Sequence, residues 1–422
     1  MSNANELTAR DELRFAHYSV QEYLVSPRLS KGRSSDFVIV ETRAHRLCAH
    51  VSLKYLVSVV ENYPSLVEAF TDRSVSASKD YVCSAFPFLR HAMKRWSYHL
   101  RSSEIENADS PDWALAKRLF DPDLHRIYMK IYISIRDLDL DMFIFVNSER
   151  IRHNAKCLRL YHASLLGLAE LVEWLLREGE DPNRATIASY GYPIIAAANS
   201  GHDKVLLLLL NSGAQADVKV TPSGTTALMY AAMVGRTETM KLLLNGGAFV
   251  NEQDIMNRTA LHFAARRGEL EAIHLLLNNG ADVNVNSGIY GCPLHSAATG
   301  GNPAAVSLLL QNGADINQEG GEFGYALQNA AAFGRLEVAR FLVETGANVN
   351  AQGGAFGDAL QATCSGWAYI DPKGYMATAQ LLLDHGANVN AKGGSWGSPL
   401  KAARQNKNDN MIQLLLEHGA RD

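Results

Sequence analysis

"TALHFAARRGELEAIHLLLNNGADVN", residues 259–284, holds two short apolar patterns at helical spacing, joined at Gly268 and closed by Gly280. The first pattern carries the small pair Ala264 and Ala265, which lets a helix approach its neighbours closely. The second carries Leu276 and Leu277, bulky enough to fill the space between neighbours. Gly280 suits the left-handed end of the second helix, and Asp282 and Asn284 suit a tight turn. The phrase "LLxxGAxxN", or a near copy, occurs eight times, with its glycine at Gly179, Gly213, Gly247, Gly280, Gly313, Gly346, Gly386 and Gly419. The spacings are 34, 34, 33, 33, 33, 40 and 33. A fixed period of this length marks a unit of helix, helix, turn and hairpin that cannot bury its apolar face alone and stacks on copies of itself.

That period, with the words "TALHFAARRG" (259–268) and "CPLHSAATGG" (292–301) ahead of each leucine-rich helix, resembles the ankyrin repeat over residues 155–422. The resemblance implies an all-α fold, in which a helical N-terminal domain precedes an ankyrin-repeat solenoid of helix-turn-helix repeats with short β-hairpin tips. It also implies a protein–protein interaction module that binds its partners at the concave face. The "TPLH" word changes along the chain, to "YALQ" at 325–328, "DALQ" at 358–361 and "SPLK" at 398–401, which removes the Thr and His side chains whose hydrogen bonds the family uses there. In the last repeat Arg404, Gln405, Asn406 and Lys407 replace small residues and glycine, as expected of a solvent-facing cap. Repeat seven holds seven extra residues around "CSGWAYIDPKGYM" (364–376), placed by the period between its two helices.

Residues 1–150 show no repeat. Apolar periodicity in 51–62, 82–103 and 124–135 predicts amphipathic helices, and "DSPDW" (109–113) predicts a helix start with Ser110 as N-cap and Pro111 in the first turn. The phrases "LRFAHYSVQEYLVS" (13–26), "AHRLCAHVSLKYL" (44–56) and "FPFLRHAMKRWSYHL" (86–100) resemble the segment of fungal-type NACHT signal-transduction ATPases, an NLR-like group, that leads from a winged helix through a helical arm into ankyrin repeats. The resemblance implies three parts: a winged-helix remnant at 1–35, a helical domain capping the solenoid at 36–154, and eight ankyrin repeats at 155–422. It further implies the sensor or partner-binding arm of such an ATPase without its motor, since no Gly-Lys-Ser/Thr of a P-loop occurs. The alternative is a stand-alone ankyrin scaffold.

Charge is balanced, with 20 basic and 20 acidic residues in 1–150, leaving 20 and 24 in 151–422. Neither part carries the positive excess that phosphate neutralisation needs, so nucleic acid is not an expected partner. Cys48, Cys83, Cys157, Cys292 and Cys364 show no C-x-x-C spacing, which argues against a disulfide framework or zinc cluster and for an intracellular setting, cytoplasmic before nuclear. The densest apolar run, "VLLLLL" at 205–210, is too short to span a bilayer. The expected partner is a protein, with no membrane, cofactor or small-molecule substrate.

Gly393, Ser395 and Gly397 form G-x-S-x-G, the nucleophile-elbow spacing of serine hydrolases, which raises a third reading with Ser395 as nucleophile. The motif "GGSWG" is one of three copies of a hairpin tip, however, the others being "GGEFG" (320–324) and "GGAFG" (353–357). Glu322 and Ala355 stand where Ser395 does, so turn chemistry is the expectation and an enzyme is not. His17, His45, His50, His91 and His99 lack the spacing of paired metal ligands on a helix and read as structural. An aromatic recurs two places before the "TPLH" position, at Tyr190, Tyr290, Phe323, Phe356 and Trp396. These rings are candidates for partner binding along one edge, against the alternative that each packs on the next hairpin. Trp367 and Tyr369 in the inserted loop are a second candidate patch.

Overall fold

The computed structural model describes residues 41–62, 89–102, 110–125, 127–128, 159–186, 190–365 and 372–421. They fall in two compact units divided between Ala214 and Gln215. Secondary structure among the described residues is helical apart from isolated bridges at turns. The expected winged-helix remnant at 1–35 lies outside the described residues.

In the N-terminal unit, helices α2 (Leu89–Ser102) and α3 (Pro111–Leu119) both pack on α1 (Glu41–Asn62). Leu53, Leu56 and Val60 of α1, Trp96 and Leu100 of α2, and Trp113 and Leu119 of α3 are all buried. The predicted start of α3 is present: the Ser110 hydroxyl accepts from Trp113 N–H at 3.4 Å, with Pro111 in the first turn. Polar pairs tie the helices together, with His45 and His99 meeting through their Nδ1 atoms at 2.9 Å and His50 Nδ1 lying 2.6 Å from the buried Asp112 carboxylate. Phe120, His125, Tyr128 and His162 form a buried ring cluster, and Trp96 Nε1–H donates to Tyr128 Oη at 3.1 Å. Burial first, then the nearby His162 and Arg159, hold the His125 imidazole well below its ordinary range. After the helical stretch 159–166 come α4 (Ala169–Arg177), α5 (Pro193–Ser200) and α6 (Asp203–Asn211), with α5 packed on α6 and α4 on α6.

The C-terminal unit is a run of helix pairs: α7 (Ala227–Met233) with α8 (Thr237–Asn245), α9 (Ala260–Arg267) with α10 (Leu270–Asn278), α11 (Pro293–Gly300) with α12 (Pro303–Gln311), α13 (Ala326–Ala332) with α14 (Leu336–Glu344), α15 (Ala359–Ser365) with α16 (Pro372–Asp384), and α17 (Pro399–Gln405) with α18 (Asp409–Glu417). First helices stack on first helices and second on second, as an all-α solenoid requires. The alanine pairs Ala231 and Ala232, Ala264 and Ala265, Ala297 and Ala298, and Ala330 and Ala331 are fully buried, and Leu243, Leu276, Leu309 and Leu342 fill the layer between second helices. The extra residues of the seventh repeat fall only partly between α15 and α16, since part of them lengthens α16 to 13 residues where α14 has 9. Arg404 to Lys407 are exposed.

Each second helix ends on its repeat glycine at positive φ; Gly280, for example, has φ 83°. A Cβ there would meet nothing within 4 Å, so backbone conformation, not space, requires glycine. The Asn that follows in most of these turns does more than turn. Asn284 Nδ2 donates to Gly313 O at 3.0 Å and its Oδ1 accepts from Asp315 N–H at 3.1 Å, clamping one repeat to the next. Asn251, Asn350 and Asn390 repeat the clamp on Gly280, Gly386 and Gly419.

Candidate interaction face

The hairpin tips and the N-terminal turns of the first helices form one connected edge of the C-terminal unit. Its geometry starts with His262, whose Nδ1 accepts from Thr259 N–H at 3.1 Å, leaving the Nε2–H to donate to Gly291 O in the next tip at 3.0 Å. His295 repeats the relay from Cys292 N–H (3.0 Å) to Gly324 O (3.1 Å). Each neutral imidazole thus fastens a helix start to the following hairpin. Burial holds His262 down to about 4 against the stabilising pull of Gly291, and burial likewise lowers His295.

The next two repeats lack histidine but keep the bonds. Gln328 Oε1 accepts from Tyr325 N–H at 2.7 Å while Nε2 donates to Ala351 O and Gly357 O. Gln361 does the same between Asp358 N–H (3.0 Å) and Gly393 O (3.2 Å). The loss of the Thr–His word therefore changes the chemistry of the relay without removing it, because a carboxamide offers an acceptor and a donor at its two ends as a neutral imidazole does.

The tips are also chained through their backbones. Glu322 N–H donates to Ile289 O at 2.9 Å, Ala355 N–H to Glu322 O at 2.7 Å, and Ser395 N–H to Ala355 O at 2.8 Å. On this chain sit the aromatic residues: Phe323 and Phe356 stack with centroids 5.1 Å apart and planes 5° from parallel, and Phe323 also leans on Phe333 at 5.5 Å. Tyr290, Phe323, Phe356 and Trp396 are all half-exposed. In the N-terminal unit, Tyr190 accepts from Asn199 Nδ2 at 3.0 Å. Trp367 and Tyr369 lie outside the described residues.

Ser395 is exposed at a tip, with its hydroxyl donating to Ala355 O at 2.9 Å. The chain there runs from a one-bridge hairpin, Gly393 to Gly397, into α17, with no strand leading to an elbow. His17 and the side chain of His91 lie outside the described residues, and among the described residues no group of three or more His, Cys, Asp and Glu could hold a metal ion. No described helix is long and apolar enough to cross a membrane. Buried Cys292 and Cys364 have thiols raised by desolvation, Cys364 further than Cys292.

Sequence reading missed Arg258, whose guanidinium lies 4.6 Å from the Phe263 centroid and 4.8 Å from that of Tyr290. The signal for it was a lone basic residue directly before the "TALH" word, at a position where the next four repeats carry glycine.

A family model agrees with this architecture. The family description "Ankyrin repeats (3 copies)" matches at residues 160–254, 194–287 and 261–353. The azaphilone pigments biosynthesis cluster protein L of Monascus ruber is 37% identical over 208 residues, 48% of this chain and 41% of that protein, so the match spans about two-fifths of the relative's length. The crystal structure of the human ASB11 ankyrin repeat domain is 26% identical, covering 54% of this chain and 98% of its own, with a TM-score of 0.47. Residues 160–353 of this chain are ankyrin repeats.

Proposed function

We propose that the chain is a protein-binding arm whose recognition edge is the row of hairpin tips, Tyr290, Phe323, Phe356 and Trp396, with Tyr190 the corresponding ring of the N-terminal unit. Ankyrin repeats imply a protein–protein interaction module, and the tips are where this chain best meets that role. The observation that carries the proposal is order combined with exposure. The side-chain relays and the backbone chain fix the tips, yet the rings they carry stay half-exposed. Pre-organised aromatic side chains of this kind supply contact area at low entropic cost on binding.

The test is paired capture with the intact chain and with its Phe323→Ala/Phe356→Ala variant, after equal unfolding midpoints are established. Proteins held by the wild type and lost by the variant support the edge. Identical sets from both overturn it.

The phrases at 13–26, 44–56 and 86–100 support a wider setting, in which the arm serves a NACHT-type signalling ATPase and partner binding shifts it between docked and released states. A P-loop in the coding sequence ahead of Met1 would bear this out, and a continuous reading frame without one would favour the stand-alone scaffold.

A further inference from the structure

The rings of the tip row are not all covered in the same way. Arg258, immediately before the first residue of the "TALH" word, lays its guanidinium over Phe263 and Tyr290 while its Nε and Nη2 hold the buried Asp254 carboxylate at 2.8 and 2.7 Å. A planar cation on ring faces, fixed at its edge by a carboxylate, combines cation–π attraction with a charge-assisted fork.

The following repeats keep the rings and lose the cation. Gly291, Gly324 and Gly357 occupy the position of Arg258, and the structure leaves no room for a side chain there. A Cβ on Gly291 would lie 2.7 Å from His295 Cγ, and one on Gly324 would lie 2.7 Å from the Gly353 carbonyl carbon. Phe323, Phe333 and Phe356 are half-exposed beside these glycines. Glu322 directly precedes Phe323 and Glu319 stands three residues before it, both exposed and with no hydrogen bond or ion pair at either carboxylate among the described residues.

We infer that Phe323, Phe333 and Phe356, together with Glu319 and Glu322, form a slot for an arginine side chain presented by an extended basic segment of a protein partner. This rests on the tip row being the recognition edge. The intramolecular Arg258 shows what the equivalent ring of the preceding repeat accepts, and the two free carboxylates supply what Asp254 supplies there. A guanidinium is planar and weakly hydrated, so it can stack on a ring and still hold carboxylates at its rim, which the strongly hydrated lysine ammonium does less well.

The test uses random 12-residue peptides displayed against the intact chain, each binder then measured by fluorescence anisotropy. Four proteins are compared: wild type, Phe323→Ala, Phe356→Ala and Glu319→Gln/Glu322→Gln. The last alters only exposed side chains, so it keeps the test open if a phenylalanine variant unfolds. The inference expects binders that need Phe356 to contain arginine, and to weaken about 2- to 5-fold both with the Gln variant at low salt and when the peptide arginine becomes citrulline. Binders that need Phe356 but are indifferent to the glutamates and to citrulline would overturn the arginine slot and leave the recognition edge standing. Binders indifferent to both phenylalanine variants, or none at all, would overturn the edge and the slot with it.

Discussion

Two successive repeats of the C-terminal unit fasten helix to hairpin through His262 and His295, and the next two do so through Gln328 and Gln361. The bonds run from a backbone N–H three residues back to a carbonyl in the next tip in all four. What differs is titration: the imidazoles can gain a proton and the carboxamides cannot. The fold thus treats His and Gln as equivalent at neutral pH while making the two stretches answer differently to acid. A change at Nδ1 explains why, since protonation would turn the acceptor that receives Thr259 N–H into a second donor.

The largest expected effect lies outside the relays, in the packing both stretches share. Leu276, behind the histidine stretch, and Leu342, behind the glutamine stretch, are fully buried at the same place in their repeats. Leu276→Ala and Leu342→Ala should each cost about 2 to 5 kcal/mol, as large-to-small changes in a packed layer do. Urea unfolding of each variant checks this, and a cost confined to one of them would show that the two stretches are not built alike.

Acid separates the stretches next. His262 has a folded value of about 4 against an ordinary value near 6.5, so the unfolded chain takes up a proton that the native chain refuses. Its contribution is fully present above about pH 6.5 and is lost as pH falls toward 4; at pH 5 the loss is on the order of 2 kcal/mol. Asp254 pulls against this shift, while Arg258 and His295 add to it. His262→Gln, which copies the relay of Gln328, should leave stability at pH 7.5 within about 1 kcal/mol of wild type and remove that share of the slope between pH 6.5 and 4. Unfolding midpoints at matched pH values decide it. Gln328→His should bring in a slope of the same sign, and unchanged pH profiles in both variants would end the comparison.

A smaller effect should be common to both stretches. Asn284 clamps the loop of the His295 repeat, and Asn350 that of the Gln361 repeat, each by one carboxamide to a repeat glycine. Asn284→Ala and Asn350→Ala should each cost about 1 kcal/mol, since the bonds are exposed and water can replace them in part. Thermal melts of the two variants should shift together.

The repeat was legible because it rests on side-chain size and backbone conformation, both written into each copy: small pairs where helices touch, leucines between them, glycine where φ is positive. The relays were only half legible. "TALH" and "CPLH" announced their histidines, but Gln328 and Gln361 read as losses because a spacing pattern does not show that a carboxamide spans the same two backbone groups. Arg258 escaped for a related reason. Its partners Tyr290 and Asp254 lie 32 residues after it and 4 before it, and only the stacking of one tip on another brings the later ring within reach. The aromatic recurrence was visible at once, whereas the parallel stacking of Phe323 on Phe356 depends on tip geometry that the period does not fix.

The smallest expected effect concerns the last tip of the glutamine stretch, where Ser395 stands in the spacing of a hydrolase nucleophile. Its N–H and its hydroxyl both meet the Ala355 carbonyl, at 2.8 and 2.9 Å. The sibling tip shows which of the two matters, because Ala355 has no hydroxyl and still joins Glu322 O through its N–H at 2.7 Å. The backbone bond alone therefore holds a tip, and the hydroxyl of an exposed serine adds a contact that water can replace. Ser395→Ala should change stability by no more than about 0.5 kcal/mol. It should also leave any background turnover of p-nitrophenyl acetate unchanged, since the serine proton is directed at a carbonyl oxygen, which cannot act as the general base an elbow needs. A fall in turnover on Ser395→Ala, at equal stability, would show that this tip does chemistry its siblings cannot.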